Sequence, residues 1–125
     1  MAHTHKYKIF GHEKILSELI NLDKINKLPN KILLSGKNGI GKSTMAYHFI
    51  NYLFSKNENF KYDISNFIIN YNNKSNILVN SNTHPNLFKI YLKDDKKNIE
   101  ISEIRNLINF TNLSSLGDQK KIILI

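Results

Sequence analysis

The octapeptide GKNGIGKS, Gly36 to Ser43, decides how this chain is read. Each residue type in it has a chemical reason. Gly36, Gly39 and Gly41 carry no Cβ, so the turn can take φ values closed to other residues and bring its amides close to phosphate oxygens. Lys42 supplies an ammonium that reaches the β- and γ-phosphates, and Ser43 offers a hydroxyl to Mg²⁺. Lys37, Asn38 and Ile40 complete the loop. Thr44 follows in the first turn of a helix whose positive end faces the anion. The expected nucleotide-binding set is therefore Gly36, Lys37, Asn38, Gly39, Ile40, Gly41, Lys42, Ser43 and Thr44, with ATP and Mg²⁺ as ligands.

A glycine turn that matches by chance is the competing reading, and its surroundings argue against it. Just upstream, KILLS (31–35) is a short apolar run of the kind that forms a buried strand. Downstream, KSTMAYHFINYLFS places Met45, Ala46, Phe49, Ile50, Leu53 and Phe54 on one helical face. A strand feeding a glycine loop feeding a helix is the context that phosphate binding requires. Further upstream, Ile15, Leu16, Leu19, Ile20 and Leu22 predict an amphipathic helix from His12 to about Ile25. KLPN ends it, with Pro29 pushing Leu28 towards extended backbone.

Beyond the second helix, residues 56–82 are polar and rich in asparagine. Phe67–Ile69 and Ile77–Val79 interrupt them and read as a helix end and a short strand, or as an inserted hairpin. Phe60, Tyr62, Phe67 and Tyr71 argue against full disorder, and core or cover is a better reading of them than a base-stacking platform. THPN then leads into LFKIYL (87–92), whose aromatic and β-branched residues favour a strand. KDDKKN forms a turn, Ser102 caps a helix carrying Ile104, Leu107 and Ile108, and Gly117 closes it. KKIILI (120–125) is the last strand.

Composition narrows the class. The chain has 125 residues, enough for one domain, and 41% of them are hydrophobic. It has no cysteine, so disulfides and thiolate zinc sites are excluded. No signal-peptide run opens it and no segment reaches membrane-spanning length, so a cytoplasmic location is expected. The net charge of +8 does not by itself mark a nucleic-acid surface, because among the 18 basic residues only Arg105 is arginine. Lysine, asparagine and isoleucine share adenine- and thymine-rich codons, and proteins that grip phosphates or bases usually rely on arginine as well. His3 and His5 form a poor metal set, Asp94 and Asp95 sit among lysines as solvated charge, and His84 reads as a loop residue ahead of a strand.

Three stretches together carry a resemblance. IFGHEKILSELINLDKINKLPNKILLSGKNGIGKST resembles the opening of AAA+ clamp-loader subunits, in which a short hydrophobic-Gly-polar box precedes a helix, a strand and the phosphate loop. THPNLFKIYL and ISEIRNLINFTNLSSLGDQKKIILI resemble the histidine-proline passage and the Walker B region of the delta-prime branch of bacterial DNA polymerase III. The His84-Pro85 passage and the Ile104-Arg105 pair favour that branch over its tau/gamma relatives. Two features depart from the family pattern. Residues 56–82 stand where many members carry a four-cysteine zinc module, so no zinc is expected. The phosphate loop is intact where many delta-prime subunits have a degenerate one.

The resemblance implies an α/β fold, a P-loop NTPase of AAA+ type with a three-layer parallel sheet, truncated after the Walker B strand. Residues 1–125 would be its N-terminal part, with lid and collar domains absent. It implies a clamp-loader subunit that works with delta and tau/gamma subunits to place the sliding clamp on primed DNA. It also implies that Ile9, Phe10, Gly11 and His12 lie near the adenine. The acidic residue that follows the Walker B strand in the family lies past Ile125, so no catalytic residue and no hydrolysis are expected from this sequence. Lys31–Leu34 and Lys121–Ile125 are expected to leave a gap in the sheet or to pair directly, since the strand between them in the family is missing. The alternatives are another P-loop NTPase or a small-molecule kinase, whose sheet would pair those two segments directly, and an interaction module that keeps the loop without using it.

Overall fold

The computed structural model describes residues 7–9, 11–36, 41–90, 100–113 and 120–125. Among them four helices and two strands form: α1 (Glu13–Lys24), α2 (Lys42–Phe54), α3 (Lys74–Asn80), β1 (Leu87–Lys89), α4 (Ile101–Asn112) and β2 (Ile122–Leu124). The architecture is a small α/β fold around a two-stranded parallel sheet.

Helix α2 is the centre of the molecule. One face gives Met45, Phe49 and Tyr52 to a cluster with Leu16 and Ile20 of α1 and with Ile9, Tyr62 and Ile69. Another gives Ile50 and Phe54 to a second cluster with Val79 of α3 and with Leu87, Ile122 and Leu124 of the sheet. A helix covered on most sides must also bury polar residues, and His48 and Asn51 are buried here. His48 Nδ1 lies 2.8 Å from the Tyr62 hydroxyl, which settles both groups away from water. Burial first, then the nearby Asp63 charge, pushes the Tyr62 phenol well above its usual pKa.

Residues 56–82 are integrated into this core. The antiparallel bridge Asp63–Ile68 closes a tight turn, and Ile68 also bridges Lys8. Asn73 is fully buried, caps α3 by accepting from Asn76 N at 2.9 Å, and donates to Phe60 O at 3.0 Å. Ser55 Oγ accepts from Tyr62 N at 2.9 Å, and the Glu58 carboxylate accepts from both Ser75 N and Ser75 Oγ. Asparagine also ends two helices. Asn26 after α1 and Asn82 after α3 have φ of 56° and 57°, the left-handed conformation that asparagine tolerates better than most residues. The following amides, Lys27 N to Leu22 O and Thr83 N to Leu78 O, close the last turns at 2.9 Å. Ile77–Val79 therefore lies in a helix and not in a strand, because Asn73 and Asn82 delimit a helical turn on either side. Of the aromatics here, Tyr62 is core and Phe67 is partly buried, whereas Phe60 and Tyr71 are exposed.

Strands β1 and β2 run parallel in the register Leu87–Ile122, Phe88–Ile123 and Lys89–Leu124. Their ends are joined by Ile122 N to Asn86 O and Ile90 N to Leu124 O, each 2.8 Å. Helix α4 lies between them in the chain and packs through Phe110, whose ring is 5.4 Å from that of Phe88. It begins after Glu100, which is extended and precedes the first helical residue, so Ser102 lies inside the helix and is not its cap. Ile104 and Ile108 are exposed, so the apolar face predicted for this helix is only partly covered.

Lys31–Ser35 forms no strand. It joins no ladder among the described residues, Leu34 packs against the main cluster, and Leu33 is 88% exposed. A run of apolar residues becomes a strand only when a neighbour takes its backbone hydrogen bonds. Neither arrangement expected for Lys31–Leu34 and the last strand is found among the described residues, since Lys31–Leu34 forms no strand and β2 pairs with β1. The KDDKKN turn, Asp94, Asp95 and Gly117 lie outside the described residues.

A buried acid ties the ends of three segments together. Asp23, near the end of α1, accepts from the Tyr52 hydroxyl at 2.9 Å and pairs with Lys56 beyond α2 at 2.5 Å. Lys120, ahead of β2, approaches its other oxygen at 3.9 Å. Burial alone would raise its pKa, but the Lys56 and Tyr52 hydrogen bonds and the two lysine charges outweigh that and hold it below the usual value.

Candidate functional site

Gly36 and Lys42, six residues apart, are in direct contact: the Lys42 ammonium arches back and donates to Gly36 O at 2.6 Å. This contact joins the first and seventh residues of the octapeptide. Gly41 stands immediately before α2 with φ +89°, a conformation that strains any residue with a Cβ. Its carbonyl accepts from Met45 N at 3.0 Å and starts the helical ladder. No side chain caps this helix end and no acid lies in its first turn. An uncapped N-terminus of a 13-residue helix, with Lys42 as its first residue, is an electropositive position. Ser43 is exposed in that first turn and Thr44 is half-buried. Lys37, Asn38, Gly39 and Ile40 lie outside the described residues.

The box at residues 9–12 comes to the same place. His12, the residue preceding α1, lies so near Gly41 that a Cβ there would be 3.5 Å from its ring. Gly11 has φ +87° and donates its amide to the Glu13 carboxylate, which turns the chain into α1. Ile9 is buried in the main cluster; Phe10 lies outside the described residues. Two partners of this box have no signal in the sequence. Ile9 N donates to Phe67 O at 3.3 Å and Ile69 N to Tyr7 O at 2.7 Å, so the box is held from residues 67–69.

Other candidates are placed elsewhere. His84 is buried and stacks on Phe54, with ring centres 4.0 Å apart and planes 7° from parallel. Phe54 ends α2 and Lys42 begins it, so His84 sits about 18 Å along the helix from the loop. Its Nδ1 accepts from Asn86 N at 3.1 Å, which sets up the start of β1. Burial lowers its pKa, with Glu58 opposing the shift. Arg105 is exposed on α4. His3 and His5 lie outside the described residues. Among the described residues no group of three His, Cys, Asp or Glu could hold a metal ion.

Taken together, these features define a small α/β protein with a parallel βαβ unit, and with Gly36, Gly41 and the Lys42 ammonium gathered at the N-terminus of its central helix. The chain belongs to the family described as DNA polymerase III, delta subunit, whose profile matches residues 11–125. That family indicates a clamp-loader-type subunit of DNA polymerase III, a component of DNA replication with partners in the replication complex. No curated protein and no solved structure matches the chain. Among the described residues no helix is long and apolar enough to cross a membrane.

Proposed function

We propose that this chain is the nucleotide-binding part of a clamp-loader subunit of the delta-prime type, with a phosphate loop that binds ATP and Mg²⁺. The observation that carries the reading is the contact of the Lys42 ammonium with Gly36 O at the uncapped N-terminus of α2, with His12 beside Gly41. A triphosphate would accept from the loop amides and the first-turn amides of α2, and Lys42 would exchange Gly36 O for a phosphate oxygen. Ser43 would hold Mg²⁺ together with the phosphates. Ile9, Gly11 and His12 would border the base. Bound Mg²⁺ neutralises phosphate charge; no residue of this chain is assigned a step in hydrolysis.

In this reading the protein works in the cytoplasm within a ring of delta and tau/gamma subunits that opens the sliding clamp and places it on primed DNA. The experiment is a binding assay of the immobilised chain against purified delta and tau/gamma subunits, with and without Mg²⁺·ATP. Specific capture of a clamp-loader subunit is expected, and no capture under either condition would refute the assignment of partners.

A further inference from the structure

The geometry points to a function for the turn at Asp63–Ile69: it is the positioning element for the base side of the nucleotide site, an inference that rests on the nucleotide reading above. A series of contacts carries it. The Asp63 carboxylate accepts from Asn66 N at 3.1 Å and from Asn66 Nδ2 at 2.9 Å. Asp63 and Ile68 then exchange backbone hydrogen bonds of 3.0 and 3.2 Å, closing the turn. This holds Phe67 at φ +56°, a left-handed conformation that a bulky residue adopts only when its surroundings enforce it. The enforcement is visible on both sides, since Phe67 also packs against the main cluster. With Phe67 so placed, its carbonyl accepts from Ile9 N at 3.3 Å, while Ile69 N donates to Tyr7 O at 2.7 Å. Those two bonds hold the chain at Tyr7 and Ile9, just ahead of Gly11 and His12, and His12 stands against Gly41.

The phosphate side has separate supports. Lys42, Gly36 and Gly41 are organised by α2 and by each other. Loosening the turn should therefore free the box without disturbing the loop. Asp63, Asn66 and Phe67 are positioning residues here and touch no ligand.

The test compares Mg²⁺·ATP with Mg²⁺·tripolyphosphate, which has the phosphates and no base, by calorimetric titration. Asp63→Ala removes both of the turn's side-chain bonds at a half-exposed position, Asn66→Ala removes only the one donated by Nδ2 at an exposed position, and circular dichroism establishes that each variant is folded. Asp63→Ala is expected to weaken ATP binding about three- to tenfold, Asn66→Ala by about two- to threefold, and both to leave tripolyphosphate binding unchanged. Hydrogen exchange at Ile9 and Ile69 is expected to quicken in both variants. Asp63→Asn keeps an acceptor for Asn66 N and should restore ATP affinity to within about twofold of the original. Unchanged ATP affinity in both alanine variants, or equal loss of ATP and tripolyphosphate, would overturn the inference and leave the nucleotide reading standing. Failure of the unaltered chain to bind either ligand would instead overturn the nucleotide reading, and this inference with it.

Discussion

Asn51 of α2 and Asn73 ahead of α3 exchange two side-chain hydrogen bonds, Nδ2 to Oδ1 in each direction, both 3.1 Å. Both residues are buried. The pair fastens residues 56–82 to the central helix, and Asn73 carries two further bonds, from Asn76 N and to Phe60 O. Asn73→Ala would leave partners on three segments unsatisfied. It should cost about 3 kcal/mol in urea denaturation, and hydrogen exchange should quicken first in residues 56–82. A loss under about 1 kcal/mol would show that water replaces the amide without difficulty.

Because amides and packing hold that segment, metal removal should not matter. Adding a strong chelator is expected to leave the Tm unchanged, and a fall of several degrees would reveal a metal contribution that this account lacks.

Asp23 makes a separate, pH-dependent contribution. Asp23→Asn should destabilise the fold by about 1–2 kcal/mol at neutral pH, a modest figure because Lys56 is 45% exposed and water screens the pair. The Asp23 pKa is depressed on folding, so its stabilisation is complete above the ordinary value of 3.8 and is lost as pH falls through the lower folded value. Denaturation curves of the variant and the original should therefore converge in strong acid. A gap that persists there would point to packing and not to charge.

His84 has the opposite chemistry with a similar direction. Burial keeps it neutral in the folded state, so below its ordinary pKa of 6.5 the unfolded chain takes up the proton first. Stability is fully present above pH 6.5 and declines as pH falls towards the depressed folded value. His84→Phe retains a ring to stack on Phe54 but cannot titrate, and it gives up the bond from Asn86 N. The variant should lose this part of the pH dependence. An identical pH profile would show that His84 does not titrate differently on folding.

The helical periodicities at Leu16 and Ile20 and at Met45 and Phe49 were legible because the same residues that mark each face bury it. The parallel pairing of Leu87–Lys89 with Ile122–Leu124 agrees with the strand reading at those residues. Lys31–Ser35 was misread because strand character depends on a neighbour, and apolarity alone does not supply one. Ile77–Val79 was misread because the helix around it is set by Asn73 and Asn82, whose roles look like low-complexity asparagine until the fold is known. At the site, the octapeptide is a local pattern, and only Gly36 and residues 41–43 of it lie among the described residues. The approach of His12 to Gly41 and the tether from Phe67 are contacts between distant segments, and the Phe67 bond uses a backbone carbonyl that every residue possesses.

The central claim is that Gly36–Ser43 binds nucleotide phosphates through Lys42, and calorimetric titration with Mg²⁺·ATP tests it most directly. Lys42 is half-buried at a helix start, so Lys42→Ala should keep the fold while removing its ammonium. The account predicts measurable, saturable binding to the original chain and a loss of at least about tenfold in the variant, with the Tm nearly unchanged. Equal affinity in the two proteins, or no binding to the original chain, would contradict it.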